Sequence, residues 1–234
     1  MTFTDQSPYD IRCEWGPAAP SALTGCAVYI VVDILSFSTC HAVASERGAV
    51  VIPCPAEVDD LEEYARAEGA ILAGKRGEGL SLSPTSLMAI EPGTRLLLPS
   101  PNGSRIAAAA IEAGGEVLIG ALRNRSAVAR RAMEIGRPIG VIPAGERWPD
   151  GSLRPALEDQ IGAGGIIAAL AGTKSPETIA AEWVFRASES DIPATLRICS
   201  SGRELIERGF GGDVGVAAEV DVIDPLGRPT GPSA

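Results

Sequence analysis

The stretch from Ala27 to Thr39, which reads A-V-Y-I-V-V-D-I-L-S-F-S-T, constrains the fold more than any other part of the chain. Its β-branched apolar run is the pattern of a strand buried on both faces, because a half-exposed strand alternates apolar with polar residues. The run stops at Asp33, and hydroxyls follow at Ser36, Ser38 and Thr39. In open α/β sheets ligands collect just beyond the carboxyl ends of strands, so this strand delivers an acid to the place where chemistry occurs. The plainer alternative makes Asp33 the cap of the next helix.

The remaining sequence repeats the same unit. Tyr9 to Trp15 alternates like an edge strand and is broken by Gly16-Pro17-Ala18-Ala19-Pro20. Ser38 to Arg47 reads as a helix, Ala49 to Cys54 as a strand, Ala56 to Ala67 as an acidic amphipathic helix and Ala70 to Ala73 as a short strand. Gly74 to Ile90 is loop-like. Strands are then expected at Thr94 to Leu98, Glu116 to Gly120 and Arg137 to Ile142, with helices at Ile106 to Ala113 and Asn124 to Ile135 between them. Pro143 to Gly151 reads as a strand-end loop, and a helix follows that carries Glu158 and Asp159, with Gly162, Gly164 and Gly165 allowing close packing. Pro176 to Arg186 and Ser201 to Arg208 read as helices, Val214 to Val222 fits strand or helix, and the tail from Asp224 reads as frayed. This alternation predicts an α/β fold: a three-layer arrangement with a mostly parallel sheet and right-handed crossovers. At 234 residues it fits a single domain, with residues from about 175 as a small C-terminal lobe.

Composition removes several classes of function. A formal net charge of −10 and an aromatic content of 4% speak against a nucleic-acid binder, which needs a basic face and stacking platforms. Residues 1–24 lack a basic start followed by an apolar core, and no apolar run reaches transmembrane length, so a cytoplasmic protein with no membrane partner is expected. Five cysteines with no C-x-x-C pair fit reduced thiols. The oligomeric state stays open, a homodimer included.

Spacing removes others. Gly69 to Arg76 nearly matches a P-loop, but Arg76 takes the place of the metal-binding hydroxyl and the first glycine precedes its strand. No G-x-G-x-x-G follows a strand, no cysteine has an arginine six positions on, and His41 is the single histidine. Oxygens and backbone amides at strand ends remain. Asp33, Glu158 and Asp159 are candidate ligands for a hard cation such as Mg²⁺, the alternative for Glu158-Asp159 being a solvated first helical turn. Asn102-Gly103-Ser104-Arg105 sets glycine, hydroxyl and guanidinium at a helix start that attracts anions, and Ser201-Gly202-Arg203 repeats the pattern. Ordinary capping is the alternative for each.

Taken together these residues resemble the Mg²⁺-dependent 2-phosphosulfolactate phosphatase family. The resemblance runs from about Asp10 to Pro225 through Val31-Val32-Asp33-Ile34-Leu35, Ser38-Thr39, Ser83-Pro84, Pro101 to Arg105, Gly120 with Asn124, Ala144-Gly145, Glu158-Asp159, Ser201-Gly202-Arg203 and Asp213. It implies a phosphatase for a small anionic phosphoester, 2-phosphosulfolactate-like, with Mg²⁺ held by Asp33, Glu158 and Asp159. Asp33, Asn102 and Glu158 are then expected at the reaction centre. Ser36, Ser38, Thr39, Lys75, Gly103, Ser104, Arg105 and Arg203 are expected to receive the substrate. The alternative is a divergent member that binds a small anion without hydrolysis. Where the family reads D-V-L-R-A this chain has Ser36 in place of the arginine, and Lys75 is expected to restore part of that charge.

Overall fold

The computed structural model describes residue 4, residues 6–55 and residues 58–223. Two short elements, β1 (Ile11–Cys13) and α1 (Ala19–Ala22), precede β2 (Val28–Val32), the buried strand that the Ala27–Thr39 stretch predicts. Its side chains divide by the two-residue period of a strand: Val28, Ile30 and Val32 enter one core, Tyr29 and Val31 the other. The chain continues as α2 (Phe37–Glu46), β3 (Val50–Ile52), α3 (Leu61–Ala67), β4 (Ile71–Leu72), β5 (Arg95–Leu97), α4 (Gly103–Glu112), β6 (Glu116–Ile119), α5 (Arg125–Ile135) and β7 (Ile139–Pro143). A hairpin of β8 (Glu146–Arg147) and β9 (Leu153–Arg154) follows, and α6 (Leu157–Ala169), α7 (Pro176–Ser188), α8 (Ile192–Ile198), α9 (Ser200–Glu207) and α10 (Gly211–Ala217) complete it.

The main sheet has the order β1-β7-β2-β6 and every pair in it is parallel. β2 runs in register with β7 from Val28 opposite Ile139 to Val32 opposite Pro143, so Asp33 and Ala144 leave the sheet side by side. One face packs on α5, α6 and α7 through Val128, Ile161, Ile166 and Phe185. The other packs on α2 and α4 through Phe37, Val43, Ile106 and Ala110. Helices on both faces of a parallel sheet make the three-layer α/β arrangement, and β1 is the edge strand expected near Tyr9 to Trp15.

The strands divide, however, into two parallel sheets. β3-β5-β4 pair among themselves, Val50 opposite Arg95 and Ile71 opposite Leu96. Val51, Leu96 and Leu98 join the same core as Val31 and Ile119, so burial, not ladder bonding, unites the two sheets. The expected loop from Pro143 to Gly151 contains β8, and Gly211–Ala217 resolves the ambiguity at Val214 in favour of helix. α8 has no counterpart in the sequence reading. Of the Ala56–Ala67 helix, Leu61–Ala67 is present and capped by Asp60, whose Oδ1 accepts from Glu63 N at 2.9 Å. Residues 56 and 57 lie outside the described residues, as does the tail from Asp224. Gly164 lies against the Ala181 backbone, where a methyl group has no room, and this closes α6 onto α7. All five cysteines are buried and free. Among the described residues no helix is long and apolar enough to cross a membrane.

Candidate active site

Asp33 is the first residue beyond β2 and is only 5% exposed. Its Oδ1 accepts from Phe37 N, the first N–H of α2, at 3.3 Å, and its Oδ2 accepts from Gly103 N at 2.9 Å and Ser100 Oγ at 3.2 Å. One carboxylate therefore joins the N-termini of α2 and α4, where unpaired N–H groups attract negative charge. Gly103 permits this approach: a Cβ there would stand 2.6 Å from both Asp33 Cβ and Oδ2. Ser38 Oγ accepts from Asp33 N at 2.8 Å and Thr39 Oγ1 donates to Ile34 O at 2.7 Å, so both hydroxyls fix the backbone of the turn.

Asp159, on the first turn of α6, accepts from Ile34 N at 2.7 Å through Oδ1 and from Gly145 N at 2.8 Å through Oδ2. It bridges the segments that leave β2 and β7. Glu158 beside it is 2% exposed, and its Oε2 has no hydrogen-bond partner among the described residues. A fourth carboxylate, Glu146 on β8, accepts from Asn102 Nδ2 at 2.9 Å through Oε2.

These four groups feel one another. Burial raises the Asp33 pKa, and the Glu158 charge adds to it against the backbone N–H bonds. Burial and then the Asp33 and Glu158 charges hold Asp159 well above the ordinary carboxylate range. Glu146 is pushed up to about 7 by burial and the Asp33 charge, while the Asn102 amide and Arg154 pull the other way.

Beside the cluster lies a cavity of about 100 Å³ whose polar wall is Asn102, Arg105, Glu146 and Arg147. From its floor, Asn102 N donates to Ser100 Oγ at 3.3 Å, and Ser100 in turn reaches Asp33. The site residues read from sequence thus fall into three groups. Asp33, Asn102, Gly103, Glu158 and Asp159 converge, with Arg105 on the cavity wall and Ser38 and Thr39 supporting the turn. Ser104 is buried and turned away, accepting from Cys54 N at 2.6 Å through Oγ. Lys75 is exposed, and it is Arg76 that reaches Ser36, Nη2 donating to its Oγ at 3.1 Å while Nη1 pairs with Asp213. Arg203 is exposed on α9; from that motif Ser201 is buried and accepts from Arg154 Nη2 at 3.4 Å.

A family model described as 2-phosphosulpholactate phosphatase matches residues 18–228, which takes in every group of this site. The chain belongs to the 2-phosphosulfolactate phosphatase family. Among the relatives, a probable 2-phosphosulfolactate phosphatase of Thermosynechococcus vestitus is 30% identical over 94% of this chain and 93% of its own. A 2-phosphosulfolactate phosphatase of Methanothermobacter thermautotrophicus is 32% identical over 81% of each chain. This member of the 2-phosphosulfolactate phosphatase family places two groups at its site that the sequence reading had passed over. Glu146 follows the turn after β7 much as Asp33 follows β2, and an acid just past a buried apolar run was the available signal. Arg76 had been considered only as the residue that breaks a P-loop pattern.

Proposed function

We propose that this protein is a Mg²⁺-dependent phosphatase that hydrolyses a small anionic phosphoester of the 2-phosphosulfolactate kind. One observation carries the reading: three buried carboxylates, Asp33, Glu158 and Asp159, and the half-buried Glu146 collect at the sheet's carboxyl edge beside a cavity walled by Arg105, Arg147 and the N-terminus of α4. The chemistry of the donors suits a hard divalent cation. All the donors are oxygens, Glu158 Oε2 is buried without a partner among the described residues, and burial, with mutual repulsion added to it, holds Asp33 and Asp159 toward the protonated form that a cation would displace. Asp33, Glu158 and Asp159 are the residues that would hold it. When bound, the ion supplies a positive charge against the phosphoryl oxygens. Arg105, Asn102 and the first-turn N–H groups of α4 receive the phosphate, because a helix N-terminus and a guanidinium both suit a dianion. Asp33, fixed by three donors, orients the attacking oxygen.

The test is phosphate release from a panel of small phosphoesters with Mg²⁺ and after chelation. Asp33→Asn is expected to lower turnover by about 10²-fold or more, in line with a positioned acid–base group; unchanged turnover removes Asp33 from the reaction. One finding favours a second reading. Among the described residues no three His, Cys, Asp or Glu side chains stand together as a ligand set, as in a member that binds an anion without hydrolysing it. Thermal stabilisation by the panel without phosphate release selects that reading.

A further inference from the structure

The cavity wall carries a carboxyl group, Glu146, that the proposed function has left without a role. An alkyl phosphate needs more than a receptor for its phosphoryl group: the oxygen that departs is a strongly basic alkoxide unless it is protonated as the bond breaks. Of the residues around the cavity, Arg105 and Arg147 do not release protons, Asn102 has none to exchange, and the others are apolar or glycine. Glu146 is the one titratable acid on the wall.

Its geometry suits the role. Asn102 Nδ2 holds Oε2 at 2.9 Å, which fixes the carboxyl plane and leaves Oε1 without a hydrogen-bond partner among the described residues. The residue sits on a two-residue strand, β8, paired with β9 through Glu146 opposite Arg154, so its backbone is set by the hairpin. Beyond burial, the charged groups acting on it are Asp33 and Glu158, which favour the protonated acid, and Arg154 on the facing strand, which opposes it. Asp33, bonded to Ser100 and Gly103, is not part of the cavity wall, whereas Glu146 is.

We infer that Glu146 is the general acid that protonates the leaving-group oxygen of the phosphoester. Water supplies the oxygen that ends on phosphorus. The ester P–O bond breaks with its electron pair on the leaving oxygen, which takes the proton from Glu146. One of the two water protons restores Glu146, so ester dianion and water give alcohol and hydrogen phosphate. The inference rests on the phosphatase reading above, and the test separates the two.

The experiment compares alkyl phosphates with p-nitrophenyl phosphate, whose leaving oxygen is stable as an anion, in wild type and Glu146→Gln with Mg²⁺ present. Glu146→Gln is expected to lose about 10²- to 10⁴-fold in kcat/KM on alkyl phosphates, and less than about threefold on p-nitrophenyl phosphate. Equal losses on both esters, or none on either, overturn the role of Glu146 while leaving the phosphatase reading intact. A wild type that releases phosphate from neither ester overturns both. Independently of any variant, wild-type kcat/KM across a series of leaving groups is expected to be nearly flat; a steep decline toward basic leaving groups overturns the proposal.

Discussion

His41 and Glu146 titrate in opposite senses, and this gives a test at the scale of single residues. His41 is fully buried on α2, its Nε2 has no partner, and burial lowers its pKa from the ordinary 6.5 to about 4. The unfolded chain therefore takes up the proton first, and stability is lost as the pH falls from about 6.5 through about 4. Glu146 is raised from 4.5 to about 7, so the native state holds its proton longer and stability is lost as the pH rises across that window. Each effect amounts to at most about 3 kcal/mol. Relative to wild type, Glu146→Gln is expected to gain stability between pH 4.5 and 8, and His41→Gln between pH 7 and 4, in denaturant midpoints taken at stepped pH. A pH-independent difference for either variant contradicts the burial assigned to that group. Asp33 was legible because its run of apolar neighbours is long. Glu146 was not, because β8 has two residues and no periodicity to read.

At the scale of elements, the irregular segment from residue 74 to 90 takes its shape from one side chain of α10. Asp213 accepts from Ser83 Oγ at 2.7 Å, from Thr85 Oγ1 at 2.6 Å and from Thr85 N at 3.2 Å, and it pairs with Arg76, which stacks on Phe210 at 5.4 Å. Removing the buried carboxylate leaves a half-buried guanidinium and three donors without their acceptor, so Asp213→Ala is expected to cost about 3 kcal/mol. Its denaturant midpoint, together with faster proteolysis between residues 74 and 90, checks this; a loss below about 1 kcal/mol means the network is a surface pair in energetic terms. The sequence offered both ends of it, Ser83-Pro84 and Asp213. That they meet could not be read, because 130 residues separate them and no local pattern encodes the pairing.

For the whole molecule, alternating strands and helices were enough to predict a parallel α/β fold, since short turns and crossovers leave few topologies. The division into two sheets was not encoded in that alternation, because β3 and β4 find β5 through contacts distant in sequence. The same assembly gathers acids from β2, β8 and α6 at one edge, where burial and then their mutual repulsion disfavour the charged forms. A ligand that binds only the native state stabilises it by about 2.7 kcal/mol at a hundredfold excess over its Kd. Mg²⁺ is thus expected to raise the Tm of chelator-treated protein, more at pH 8 than at pH 5, where protons compete for the carboxylates. No rise at pH 8, against NaCl of equal ionic strength, argues against the cation site. The two halves of the site also differ in how they are built. Asp33 and Asp159 are tied to backbone amides at helix starts and strand ends, whereas the facing wall is a short hairpin whose named hydrogen bonds to the rest run through the side chains of Glu146 and Arg154. Under the proposed function, such a division would let a lineage rewrite residues 146–154 to suit a new alcohol while the phosphoryl half stays in place, a fixed socket with an exchangeable faceplate.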